Sequence, residues 1–76
     1  MKSLDELPIG NSAKIHSLTS SNTERRRMLD FGFIPNATVT ALYKSPFNNP
    51  VAYLIKGTVI ALRKEDAKKI KIIELG

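Results

Sequence analysis

Residues 51–64, VAYLIKGTVIALRK, hold two apolar runs on either side of Lys56-Gly57. A two-residue connection between such runs predicts a tight hairpin, with Gly57 accepting the positive φ that the turn requires. The turn sets the register: Ile55 faces Thr58, Tyr53 faces Ile60 and Val51 faces Leu62, while Leu54 with Val59 and Ala52 with Ala61 fill the other face. A hairpin apolar on both faces does not suit a sheet with one side in water. Its second face either belongs to a barrel core or lies under a helix, or it is a docking surface for a partner.

The rest of the chain supplies the barrel. Ser3 and Glu6 form an S-x-x-E capping box that starts one helical turn, limited by Pro8, with Leu4 and Leu7 as a lid. Ile9-Gly10-Asn11 turns into a strand over 12–18, with Ala13 and Ile15 inward and Lys14 and His16 outward. Ser21 and Glu24 form a second capping box, and the helix runs through Phe31, with Met28, Leu29 and Phe31 as candidate buried positions. Arg26 and Asp30, four apart, are placed to pair. Gly32 closes the helix in the left-handed conformation while Phe33 and Ile34 fold back over its last turn. Pro35-Asn36 is a turn in which asparagine takes positive φ. A strand over 37–44, a bent loop over 45–50, the hairpin, a helical turn from Glu65-Asp66 and a closing strand over 70–75 follow. Five strands with one inserted α-helix and short helical turns make a mainly β fold, a small bent barrel of the SH3 type. Residues 1–76 read as a single domain.

Charge changes this picture more than length does. Twelve basic residues against seven acidic ones give a net +5, and eight of the twelve fall in two places, Arg25-Arg26-Arg27 and Arg63, Lys64, Lys68, Lys69, Lys71. That balance draws acidic proteins, nucleic acid or anionic lipid without choosing among them, and it also serves as a solvated face. Three successive helical residues fan about 100° apart, so at most two of the arginines address one partner. The longest apolar runs fall far short of the roughly 20 residues of a membrane span. The charged start, MKSLDELP, is no signal peptide, so a cytoplasmic location is expected, peripheral to the inner face of the cell membrane.

Candidate chemistry is sparse. With no cysteine and one histidine, the chain offers no thiolate site. His16 would need ligands converging from Asp5, Glu6, Asp30, Glu65, Asp66 or Glu74, which the spacing does not supply. No second histidine or G-x-S-x-G is available to activate Ser12, Ser17, Ser20, Ser21 or Ser45, and Glu65-Asp66 reads as a helix start, not an acid–base pair. No catalytic, cofactor-binding or metal-ligating residue is therefore assigned, and an enzyme is not expected.

The series RRRMLDFGFIPNATV followed by SPFNNPVAYLIKGTVIALRKEDAKKI resembles the FeoA family of small cytoplasmic proteins of bacterial ferrous-iron transport. The order of R-R-x-L-D-x-G-F-I-P, S-P-F and Y-L-x-x-G-T-V-I-A-L-R carries the likeness, which extends over nearly the whole chain from LDELPIGNSAKI. Two departures stand out: Asn36 where the family often has glycine, and Asn48-Asn49 in place of a Gly-Asp-like pair. Asparagine tolerates the left-handed region, so both turns are expected to survive. The resemblance implies an SH3-like barrel that acts as accessory to FeoB, a membrane protein with a cytoplasmic GTPase domain and a ferrous-iron pore. Docking is expected to use an apolar contact ringed by basic side chains, for which Arg25, Arg26, Leu54, Val59, Arg63, Lys64, Lys68 and Lys69 are the candidates. A nucleic-acid-binding SH3-like module is the alternative, set back by few aromatic residues for stacking. A third is a protein-contact domain like those at the C-terminal part of some iron-dependent repressors.

Overall fold

Alternation of side chains decides the sheet, and the computed structural model, which describes residues 1–47 and 49–75, follows it closely. In chain order the elements are β1 (Lys2–Ser3), a 3-10 turn (Leu4–Glu6), β2 (Ser12–Leu18), α1 (Asn22–Phe31), β3 (Thr38–Lys44), β4 (Val51–Ile55), β5 (Thr58–Leu62), α2 (Lys64–Ala67) and β6 (Ile70–Glu74). They form one antiparallel sheet in the order β1-β6-β2-β3-β4-β5. The expected five strands become six, because Lys2 and Ser3 pair with Ile72 and Lys71 at the margin of the sheet. A two-residue strand is too short to show a period, so only its partner defines it.

The sheet curls around one core. Leu4, Ala13, Ile15, Phe33, Val39, Ala41, Tyr53, Ile55, Ile70 and Ile72 are all almost wholly buried. The Tyr53 hydroxyl on β4 donates to the Leu4 carbonyl at 3.4 Å, joining elements at opposite ends of the strand order. Among the described residues no buried side-chain nitrogen or oxygen lacks a partner, as a stable interior requires.

Helix α1 ends as its sequence dictates. Gly32 takes φ 109°, its N–H bonds the Leu29 carbonyl at 3.0 Å, and the Phe33 N–H bonds that of Met28 at 3.0 Å. This reversal returns Phe33 to the core. At the other end the expected capping box does not form. Ser21 holds the N-cap position without a side-chain bond, and the Glu24 carboxylate is taken up by Lys69 Nζ at 2.6 Å instead of turning back to the helix start. The first capping box does form, with Glu6 Oε1 accepting from the Ser3 N–H at 3.0 Å. Met28 is buried and Leu29 half-buried, but Phe31 is exposed, correcting its expected burial. A ten-residue helix on a small sheet has one narrow contact stripe, which Met28 occupies, and the buried ring is Phe33, beyond the helix end. The expected Arg26–Asp30 pair is not among the ion pairs of the described residues.

Asn36 takes φ 72°, so that turn keeps its form with asparagine, whereas Asn48 lies outside the described residues. The hairpin register is the predicted one throughout, from Ile55·Thr58 to Val51·Leu62. Both turn residues have positive φ, 51° at Lys56 and 76° at Gly57, a two-residue turn of the primed kind. A Cβ at Gly57 would meet nothing within 4 Å, so the cost of substitution there is backbone strain alone. Gly57→Val is expected to lose about 1–2 kcal/mol, a fall in Tm of roughly 5–15 °C. Circular dichroism melts of mutant and parent check this, and equal melting would show that the turn bears no strain.

Candidate functional site

The outer face of β3–β5 is where the apolar pattern meets water. Paired residues share a side of the sheet, so Ser12, Thr40, Leu54 and Val59 form one outward row across four strands. Tyr43, Ala52 and Ala61 form a second row beside it, because a register shift between Ala41 and Tyr43 turns Tyr43 to the outside. Tyr43 is 59% exposed, Val59 52% and Leu54 37%. Burial in the barrel core and cover by a helix are thus both excluded for Leu54 and Val59. They present side chains to solvent, on a patch continued by Tyr43 and Ala61.

Bases edge this face, and acids avoid it. Between Asp30 and Glu65 the sequence contains no aspartate or glutamate, while Lys44, Lys56, Arg63 and Lys64 lie in that interval. Lys56 sits at one end of β5, and Arg63 and Lys64 at the other. The remaining candidates lie apart. Arg25 and Arg26 are exposed on α1, and Lys68 is exposed after α2. Lys69 is engaged, its pKa raised by the hydrogen bond to Glu24. The eight sequence-chosen residues thus fall into Leu54, Val59, Arg63 and Lys64 on or beside β4–β5, and a separate group on α1 and the α2–β6 connection.

A cleft of about 360 Å³ opens at the Val51·Leu62 end of the hairpin, lined by Asp5, Lys44, Phe47, Asn49, Val51, Tyr53, Leu62 and Lys64. Phe47, 88% exposed, stands at its mouth. The loop carrying it is tied down: the Asn49 N–H donates to Ser45 Oγ, and Asn49 Oδ1 accepts from the Lys64 N–H, both at 3.0 Å. Tyr53 stays neutral at the cleft floor, its hydroxyl pushed up to about 12 by burial and then by nearby Asp5. Sequence reasoning noted S-P-F only as a motif and missed both Phe47 and Tyr43 as exposed aromatics.

Glu6 is held below the usual glutamate value of 4.5, chiefly by the Ser3 N–H and then by the Ser3 hydroxyl. A depressed carboxylate stabilises the fold above its ordinary value, and that contribution disappears as pH falls through the lower folded value. Glu6→Gln should therefore flatten the acid limb of a Tm-versus-pH curve below pH 4.5. An unchanged acid limb would assign the capping box no part in acid stability.

His16 lies exposed on β2, its Nδ1 3.1 Å from Ser17 Oγ. No group of three histidine, cysteine, aspartate or glutamate side chains comes together among the described residues. No helix of the described residues is long and apolar enough to cross a membrane.

Residues 2–74 match the family model of the FeoA domain. Over 69 residues the chain is 36% identical to an Fe(2+) transport protein A/Fe(2+) transporter FeoB fusion protein of Porphyromonas gingivalis, covering 91% of this chain and 8% of the fusion. It is 30% identical over 69 residues to an Fe(2+) transport protein A of Campylobacter jejuni, covering 91% of this chain and 93% of that one. FeoA of Stenotrophomonas maltophilia, a procaryotic SH3-domain protein solved in complex with zinc, superimposes with a TM-score of 0.84 at 29% identity. That match covers 95% of this chain and 89% of the other. The sheet described above is thus an SH3-like one.

Proposed function

This chain belongs to the FeoA family of ferrous-iron transport, and from that membership we propose that it is a non-enzymatic regulator that docks on the cytoplasmic portion of a FeoB-type GTPase transporter. The observation that carries this reading is the Porphyromonas gingivalis fusion, in which a segment like this chain shares a polypeptide with FeoB. A tether keeps two partners at effective concentrations up to the millimolar range, an arrangement suited to weak partners that must meet. The outer face of β3–β5 has the form such contact needs. Leu54, Val59, Ala61 and Tyr43 supply apolar area, and Lys56, Arg63 and Lys64 at its margins steer an acidic surface toward it.

Two exposed aromatics, Tyr43 and Phe47, beside an acid-free basic stretch, favour nucleic acid as the second reading. Tyr43 stands on the outer face while Phe47 lines the cleft with inward residues, so the pair does not make one stacking platform. Binding kinetics against the transporter's cytoplasmic portion, a generic single-stranded RNA and duplex DNA at matched salt separate the two. Docking on the transporter portion with weaker, salt-sensitive nucleic-acid binding is the expected result. Submicromolar binding to nucleic acid with none to the transporter would overturn it.

A further inference from the structure

Strand β5 ends the sheet, and among the described residues its only strand partner is β4. Its sequence, TVIAL, has no proline, charge or register shift, the devices that normally blunt a free edge. The two-residue turn makes Ile55·Thr58 the hydrogen-bonded closing pair, so Thr58, Ile60 and Leu62 bond to β4. Val59 and Ala61 then direct their N–H and C=O groups away from the sheet, and both residues are exposed. We propose that β5 receives an extended acidic segment of a partner as an added strand, on the backbone of Val59 and Ala61, with Lys56 at one end and Arg63 and Lys64 at the other pairing its carboxylates.

Charge selects this occupant over a second copy of the chain. Antiparallel pairing of β5 with itself about Ile60 would set Lys56 opposite Lys64 at both ends of the ribbon, between molecules of net +5. An acidic strand meets the same bases with opposite sign. The inference rests on the docking reading above, whose partner would supply the segment, and it adds a backbone site on β5 to the side-chain contact on the outer face.

The test uses the full chain and a synthetic seven-residue peptide that alternates valine with glutamate, with an alternating valine–lysine peptide as control. Hydrogen exchange followed by NMR should show fast amides at Val59 and Ala61 in the free protein, with both slowed by the glutamate peptide only. Ala61→Pro deletes one outward N–H without removing a bond to β4, and should weaken peptide binding about tenfold. Should that variant unfold, Val59→Glu sets a carboxylate on the same edge against those of the peptide and is expected to weaken binding likewise. Binding of the transporter portion that Ala61→Pro leaves intact, while the peptide fails to slow these amides, would sink the edge site and leave docking standing. Protection at Val59 and Ala61 that grows with protein concentration alone, with dimers in sedimentation, would make a second copy the occupant and overturn the acidic segment.

Discussion

Phe33→Ala is expected to cost about 3–5 kcal/mol, the range for emptying a wholly buried aromatic position. A domain of this size rarely holds more than roughly 3–5 kcal/mol in total, so the variant should be largely unfolded at 37 °C. The expectation rests on where the ring sits. Phe33 is 0% exposed, and its N–H closes the end of α1 on the Met28 carbonyl, so the ring fixes both the core and the return of the chain into β3. Phe31, two residues earlier and 38% exposed, supplies the comparison. Phe31→Ala should change stability by less than about 1 kcal/mol, as surface truncations do. Denaturant melts of the two variants decide the matter. Equal losses would mean that the helix end is assigned to the wrong phenylalanine.

Most of the fold was legible because each element announced itself locally. The Lys56-Gly57 turn fixed the hairpin register, and Gly32 fixed the end of α1, since both positions demand a backbone that few residues adopt. Three features were silent for physical reasons. The strand at Lys2–Ser3 exists only through its partner β6. The diversion of Glu24 from its own helix start to Lys69 joins residues 45 apart in sequence, a distance at which local capping rules have no say. The register shift in β3 leaves no mark in composition, yet it sends Tyr43 outward and enlarges the apolar patch. The candidate site was half legible. Leu54 and Val59 stood out as surplus apolar positions, but whether a helix covers them is decided only by where α1 packs. Its C-terminal glycine lies against Ile55 and Lys56, at the turn of the hairpin, and the faces of Leu54 and Val59 stay open.

Reversing Arg63 and Lys64 to glutamate, and placing aspartate at Leu54, should act on different rate constants for binding to the transporter's cytoplasmic portion. Marginal charges attract over distances set by the Debye length, about 10 Å at 0.1 M salt, so their reversal should slow association by roughly tenfold at low salt and flatten its salt dependence. Dissociation should change less than association, because these charges sit at the solvent-exposed margin. On the proposed docking Leu54 would be a contact group in the apolar patch, and a carboxylate there would be desolvated in the complex without a partner, so Leu54→Asp should speed dissociation by roughly thirtyfold. The chosen positions follow from the structure. Lys69 is avoided because glutamate there would lose the 2.6 Å ion pair with Glu24 and bring two like charges together beside α1. Leu54 is preferred to Val59 because it lies on β4, away from the free edge, and so reports on the face alone. Its 37% exposure lets the variant fold, which circular dichroism should verify first. Unchanged dissociation for a folded Leu54→Asp would remove the outer face from the interface. The cleft lined by Phe47, Lys44, Lys64, Tyr53 and Asp5 would then be the next face to test.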